Sequence, residues 1–123
     1  MYTLDTNAII YYLKDETRAV AQFRDVLLRD VPLYISAITE IELFGFSENS
    51  RAEILKIESI LSTLAIIPVD SRIARIAGEL RRIYRLKTPD SAVAATAMFT
   101  GSTLVTRNVR DFKNIPGLSI QEI

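Results

Sequence analysis

Carboxylates at the ends of predicted strands are the side chains best placed to do chemistry in this sequence. An apolar, β-branched run over residues 103–106 passes into a polar segment that contains a hydroxyl, two guanidiniums, an amide and a carboxylate: Thr106, Arg107, Arg110, Asn108 and Asp111. The run from Tyr2 to Leu4 ends in the same way, at Asp5. Ligands of open α/β sheets bind beyond the carboxyl ends of the strands. If these two strands are parallel neighbours, Asp5 and Asp111 meet at one edge of the sheet.

Two further acids follow predicted strands or begin helices near them. Glu42 lies on the helix after the second strand, and Asp90 lies in the first turn of the helix that starts at Thr88. Each acid alone has an ordinary explanation, as an N-cap, a partner of the helix dipole, a turn residue or part of a solvated face. Gathered at one edge, however, they would repel and resist ionisation unless a cation compensates.

The composition limits what that cation and its chemistry are. The chain has neither cysteine nor histidine, which excludes disulfides, thiolate catalysis, histidine bases and the usual zinc sites. Carboxylates are hard oxygen ligands and favour Mg²⁺ or Mn²⁺. Such an ion lowers the pKa of a bound water and stabilises charge that develops on a phosphate.

Charge is distributed unevenly although its formal sum is zero. Residues 1–71 carry 6 basic and 11 acidic side chains, whereas residues 72–113 carry 9 basic and 3 acidic ones. The basic stripe over 72–87, with Arg82 and Arg85, and the later Arg107 and Arg110 are candidate contacts for the phosphates of a nucleic acid. The ordinary alternative is a solvated helix surface.

Strands and helices alternate along the 123 residues. Strands are predicted over 1–4, 33–35, 65–69, 103–106 and 118–120, with amphipathic helices between them and Gly45 as the terminator of the third helix. The helix over 92–99 is apolar nearly all round and is therefore expected to be central. This order predicts one α/β domain over residues 1–123, with a parallel sheet and helices on both faces.

Nearly the whole chain resembles the PIN domain family, and specifically the VapC-type ribonuclease toxins of toxin–antitoxin pairs. The resemblance rests on four segments in order: Leu4-Asp5-Thr6-Asn7; Thr39-Glu40-Ile41-Glu42-Leu43 with Gly45; Thr88-Pro89-Asp90; and Thr106-Arg107-Asn108 with Asp111-Phe112. It implies a doubly wound three-layer α/β/α sandwich that cuts RNA, with Mg²⁺ or Mn²⁺ held by an acidic quartet.

By motif position, the resemblance implies that this quartet consists of Asp5, Glu42, Asp90 and Asp111, which would serve as catalytic residues and metal ligands. Thr6, Thr106 and Asn108 would be their polar companions. Glu40 is an alternative to Glu42, because many relatives have one more residue between the acid and the glycine. Residues two apart on a helix point to different faces, so only one of the two glutamates faces the site.

Further expectations concern partners and rival functions. The resemblance implies two partners: a small antitoxin that buries a helix in an apolar groove of this chain, and a second copy in a homodimer. Segment 44–46 and the helix over 54–64 are candidates to line the antitoxin groove or the dimer interface. The ordinary alternative is that they belong to the core. With no charged leader before an apolar segment and no membrane span, we expect a cytoplasmic protein. Two other functions are considered. One is a phospho-receiver signalling domain, in which Asp70 would be the phosphoacceptor and Thr106 the accompanying hydroxyl. The other is a non-catalytic binding module with the same fold.

Overall fold

A computed structural model describes residues 1–45 and 50–123. The strands are β1 (Tyr2–Leu4), β2 (Leu33–Ser36), β3 (Ala65–Ile67), β4 (Thr103–Thr106) and β5 (Ile120–Glu122). The helices are α1 (Thr6–Leu13), α2 (Thr17–Leu27), α3 (Ala37–Phe44), α4 (Arg51–Leu61), α5 (Ser71–Tyr84), α6 (Thr88–Thr100) and α7 (Val109–Phe112).

The five strands form one sheet in the order β3-β2-β1-β4-β5, and every neighbouring pair is parallel. The chain winds outward from β1 to β3 on one side and then returns to β4 and β5 on the other. The winding direction therefore reverses between β1 and β4. A crevice opens at such a switch point, beyond the carboxyl ends of the two strands. The predicted doubly wound sandwich is confirmed, and its crevice lies above the residues that follow β1 and β4.

Helices cover both faces of the sheet, so the central strands β1 and β4 are buried on both sides. Leu104 and Val105 are neighbours on β4 and point to opposite faces, as successive strand residues must. Val105 packs in the core formed with α1, α2 and α4, whereas Leu104 packs in the core formed with α5 and α6. Two cores on the two sides of one sheet hold β1 and β4 in a fixed position.

Helix α6 is central, as its composition predicts. The seven residues from Ser91 to Ala97 are all buried, and their small side chains let the helix lie close to the sheet. Pro89 lies in its first turn, and Gly101 ends it at a φ of 67°. Because the carboxyl end of α6 leads into the start of β4, its amino end lies at the opposite edge of the sheet. Asp90 is thereby brought to the crevice.

The predicted last strand over 118–120 is wrong by two residues. The Leu118 N–H donates to the Ile115 carbonyl across the turn that contains Gly117 (φ 80°). The first bond to β4 is made by the Ser119 carbonyl, which accepts from the Leu104 N–H, and the strand itself begins at Ile120. The predicted polar turn after β4 also contains the short helix α7. In addition, β3 ends at Ile67, because Pro68 has no N–H to continue the ladder.

Gly45 does end α3, but for a reason that the sequence does not reveal. Its φ is −80°, which any residue adopts, so no left-handed conformation is needed. A Cβ atom on residue 45 would instead lie 2.7 Å from the Ile41 carbonyl oxygen. Close packing against the preceding turn therefore excludes a side chain here.

The predicted groove residues divide between core and surface. Ile57, Leu61 and Leu64 are buried in the core, so the ordinary explanation holds for them. Phe44 is 41% exposed and remains free to contact a partner, whereas Phe46 lies outside the described residues.

Candidate active site

Asp5 lies at the centre of the crevice, directly after β1. Its Oδ1 accepts a hydrogen bond from the Thr6 backbone N–H at 2.8 Å, so the side chain caps α1. Its Oδ2 accepts a hydrogen bond from the Thr106 hydroxyl at 2.7 Å, across from the end of β4. The ordinary N-cap interpretation is thus correct, but it accounts for only one of the two carboxylate oxygens.

Burial dominates the electrostatics of Asp5. The residue is 4% exposed, and this desolvation raises the pKa of its carboxyl from about 3.8 to about 6. The hydrogen bonds from Thr106 and Thr6 oppose this rise, whereas the carboxylates of Asp90 and Glu42 add to it. Asp5 is therefore a carboxylate whose ionisation is disfavoured by its surroundings unless positive charge is supplied.

Glu42 reaches the same crevice from α3. Its Oε1 accepts a hydrogen bond from the Thr6 hydroxyl at 2.7 Å, and that hydroxyl also lies 3.1 Å from the buried Thr39 hydroxyl. The charge of Glu42 acts on both Asp5 and Asp90. Of the two glutamates left open by the sequence, the structure turns Glu42 toward the other acids, with Thr6 holding its carboxylate.

Asp90 faces these acids from the first turn of α6. Partial burial raises the pKa of its carboxyl, and the charges of Asp111 and Glu42 raise it further. The Lys87 ammonium, at the N-cap position of α6, acts in the opposite direction. Lys87 is the last residue of the basic stripe that the sequence offers as phosphate contacts, and here its charge also acts on Asp90.

A chain of hydrogen bonds connects Asp5 to the segment after β4. The Thr106 hydroxyl, which donates to Asp5, accepts from the Asn108 backbone N–H at 2.9 Å. The Asn108 side chain in turn donates from Nδ2 to Asp111 Oδ2 at 2.8 Å. Asp111 is exposed at the rim of the crevice, whereas Asp5 is buried at its centre. The site formed by the four predicted acids is therefore open to solvent on the side of Asp111.

The four acids interact electrostatically without forming a closed ligand cage. Within residues 1–45 and 50–123, no three acidic side chains are arranged as direct ligands of one ion. In proteins Mg²⁺ usually keeps several waters and is bound by only one or two carboxylates.

The predicted RNA contacts lie in different surroundings. Arg82 in the last turn of α5, Arg85 at its C-cap and Arg110 on α7 are all exposed. Arg85 has a left-handed backbone, with a φ of 58°. The guanidinium of Arg107, in contrast, is directed at Glu16, the ring of Tyr11 and the Ile123 backbone. Glu16 and Tyr11 were not predicted, since no local pattern connects them to residue 107.

The phospho-receiver alternative is not favoured. Asp70 caps α5 through the Ile73 N–H and pairs with Arg72 at the exposed start of that helix. It follows β3, which is separated from β4 by β2 and β1. At about 4.8 Å per strand, Asp70 and Thr106 are three strand spacings, or roughly 14 Å, apart across the sheet. They cannot form one phosphoacceptor site.

The fold and the crevice place the chain among α/β proteins with an acidic site at the switch point, and comparison with known proteins identifies the family. The PIN domain profile matches residues 2–118. The chain therefore belongs to the PIN domain family.

Two curated relatives match over nearly the full length. One is the tRNA(fMet)-specific endonuclease VapC of Salmonella typhimurium, 30% identical over 129 residues, with 98% of this chain and 96% of the relative covered. The other is ribonuclease VapC2 of Rickettsia felis, with the same identity and coverage.

Solved structures agree with this assignment. The structure of VapBC2 from Rickettsia felis bound to a promoter DNA fragment has a TM-score of 0.83 and 28% identity, and the alignment covers 99% of this chain and 98% of that one. A toxin–antitoxin complex from Klebsiella pneumoniae has a TM-score of 0.81 and 32% identity over the full length of both chains. Within the part of the chain that the structure describes, no helix has the length and apolar character needed to cross a membrane.

Proposed function

We propose that this chain, a VapC-type ribonuclease toxin by family, hydrolyses RNA phosphodiesters with Mg²⁺ or Mn²⁺ held at Asp5, Glu42, Asp90 and Asp111. One observation carries the proposal. A nearly buried carboxylate at the switch point, Asp5, has its pKa raised to about 6 by burial and is faced by two further acids. Such an arrangement is unfavourable for folding, and its chemistry is that of a cation site.

The donor set fits a hard divalent cation. Every candidate ligand is a carboxylate oxygen, and Asp5 and Asp90 both resist ionisation in the absence of positive charge. Asp5 and its carboxylate neighbours would hold the ion, partly through water. When bound, the ion would supply an activated water and stabilise negative charge on the scissile phosphate.

The chain itself positions these ligands. Thr106 and the Thr6 N–H orient the two oxygens of Asp5, the Thr6 hydroxyl holds Glu42, and Asn108 holds Asp111. Each donor comes from the end of a strand or the start of a helix that is fixed by the two cores. Asp5, Glu42 and Asp111 are therefore preorganised by hydrogen bonds before any substrate arrives.

We infer that RNA reaches the crevice along exposed basic side chains. Arg82 lies in the last turn of α5 and Arg85 at its C-cap, shortly before the start of α6 at Thr88. Arg110 directly precedes Asp111 on α7. Guanidiniums bind phosphates bidentately, so these side chains are suited to hold the backbone on either side of the acids.

An antitoxin partner is part of the same proposal. The structural relatives include toxin–antitoxin complexes, among them the one from Klebsiella pneumoniae. A cleft of about 240 Å³ lies between α1, α2 and α4, with Tyr12, Leu13, Val20 and Ile60 among its lining residues. Asp15, Arg24 and Lys56 also line it, so an amphipathic helix of a partner would meet both apolar and charged side chains there. We also propose that the protein forms a homodimer, with the exposed Phe44 as a candidate contact, and that residues 1–123 act as one domain in the cytoplasm.

Metal binding should be measurable as a gain in stability. We expect millimolar Mn²⁺ or Mg²⁺ to raise the free energy of unfolding by about 1–3 kcal/mol, because an ion that binds only the folded state stabilises it by mass action. Thermal denaturation with and without the ion, together with cleavage of a single-stranded RNA in Mg²⁺ and in EDTA, tests this. Asp70→Asn is the matched control and should retain both effects. Cleavage that is equally fast in EDTA would overturn the proposed metal dependence.

The two glutamates on α3 offer a paired test of the site. Glu42→Gln should lower RNA cleavage about 10- to 100-fold, because a charged neighbour of the ion is lost while the hydrogen bond to Thr6 is retained. Glu40→Gln, two residues away on the same helix, should leave cleavage within about twofold of the wild-type rate. Steady-state kinetics on one RNA substrate decide between them, and the reverse outcome would make Glu40 the site residue.

A further inference from the structure

Arg107 makes contacts that are unlike those of a phosphate-binding side chain. Its Nε donates to the Ile123 carbonyl at 3.1 Å, and its terminal nitrogen pairs with Glu16. Its guanidinium carbon lies 3.9 Å from the centre of the Tyr11 ring. The Arg107 side chain is 30% exposed, so its charged end is largely committed to the protein.

These contacts connect parts of the chain that are distant in sequence. Glu16 is the N-cap residue of α2, Tyr11 lies on α1, and Ile123 follows β5. The Arg107 backbone N–H also reaches Asn7 Oδ1, at 3.4 Å. A planar guanidinium that stacks on a ring and forms an ion pair has one preferred orientation. The residue directly after β4 is therefore held from several sides.

The residues on either side of Arg107 contact the acids. Thr106 donates its hydroxyl hydrogen to Asp5 and accepts from the Asn108 N–H, and Asn108 donates to Asp111. The orientation of two of the four acids thus depends on the backbone conformation of residues 106–108. Arg107 is the central residue of that segment.

We propose that Arg107 is a positioning residue. Its guanidinium, held by Glu16, Tyr11 and the Ile123 carbonyl, fixes the segment 106–108 so that Thr106 orients Asp5 and Asn108 orients Asp111. Arg107 acts on cleavage through these neighbours rather than by contacting RNA. This inference deepens the proposed ribonuclease function and rests on it.

Three variants separate positioning from RNA binding. We expect Arg107→Met to lower kcat about 10- to 100-fold, the loss typical of a small displacement of catalytic groups, with KM for RNA within about twofold. The salt dependence of RNA binding should be unchanged. Arg110→Met, one exposed turn away, should raise KM and reduce the slope of log affinity against log salt by about 0.7, as for one lost phosphate contact to a single strand. Arg107→Lys should fail to restore kcat, because an ammonium lacks the planar fork.

Hydrogen exchange provides a measurement that does not depend on cleavage. In Arg107→Met the amides of residues 106–111 should exchange at least about tenfold faster than in the wild type, whereas Arg110→Met should leave those of 106–108 unchanged. Glu16→Gln keeps the arginine but removes its ion pair, so it should lower kcat and speed exchange by smaller factors. This variant replaces Arg107→Met in the test if Arg107→Met does not fold.

The two proposals fail in different ways. A raised KM, a reduced salt slope and full rescue by Arg107→Lys would overturn positioning while the ribonuclease function stands. Unchanged exchange in both Arg107→Met and Glu16→Gln would also overturn it. A wild-type protein that does not cleave RNA in the presence of Mg²⁺ or Mn²⁺ would instead refute the proposed function.

Discussion

Replacing Asp5 with asparagine should abolish RNA cleavage and at the same time stabilise the metal-free protein at neutral pH. The activity loss follows from removing the central charge of the crevice, and we expect about 100- to 1000-fold or more, as for the removal of one preorganised charged group. The gain in stability follows from burial, because the raised pKa of Asp5 means that its ionised form is disfavoured in the folded state.

The sign and the pH range of the stability effect follow from the two pKa values of Asp5. Its carboxyl ionises near 3.8 when unfolded and near 6 when folded. Between these values the folded state keeps a proton that the unfolded state has lost, so wild-type stability falls as pH rises. Above about pH 6 both states are ionised and the loss is complete, at roughly 3 kcal/mol for a shift of this size. Asp5→Asn lacks this titration.

Urea denaturation in EDTA at pH 4.5 and at pH 8 measures the effect. The stability of Asp5→Asn relative to wild type should increase by about 1–3 kcal/mol between the two conditions. Asp70→Asn is the opposite control. The Asp70 carboxylate accepts the Ile73 N–H and pairs with Arg72, which lowers its pKa, so its loss should leave cleavage intact and slightly reduce stability at pH 8. If Asp5→Asn cleaved RNA as fast as the wild type, the crevice around Asp5 would not be the catalytic site.

Truncating Phe112 to alanine should have the largest effect on stability. Phe112 ends α7, directly after Asp111, and its ring is fully buried with Leu104 and Ile115 in the core beneath α6. We expect a loss of about 3–5 kcal/mol from the buried area and the cavity left behind. That is a large part of the 5–15 kcal/mol that typically stabilises a domain.

The urea midpoint should therefore fall sharply for Phe112→Ala, with the slope of the transition unchanged. Phe99→Ala is the matched control, since its ring is 44% exposed and contacts the Arg72 guanidinium at 4.9 Å. That variant should lose no more than about 1 kcal/mol. Equal losses in the two variants would mean that the ring of Phe112 does not anchor α7 in the core.

The sequence by itself determined the local structure and the fold class. The Asp70 cap of α5, Pro89 at the start of α6 and Gly101 at its end are short-range signals, and each element lies where they predict. The apolar runs before Asp5 and after Gly101 likewise identified β1 and β4. Capping, proline geometry and side-chain periodicity depend on neighbours within a few residues, so they are visible in one sequence.

The tertiary structure alone decided which of these elements meet. The spacing of the motif did not decide whether Glu40 or Glu42 belongs to the site. In the structure, the hydrogen bond from Thr6 turns Glu42 toward the crevice. Composition made Arg107 an apparent RNA ligand, although its guanidinium lies against Glu16 and Tyr11. The physical reason is the strand order. β1 and β4 are separated by about 100 residues of chain, and their pairing creates the switch point that brings Asp5, Glu42 and Asp90 within electrostatic reach. No pattern within a short window of sequence carries that information.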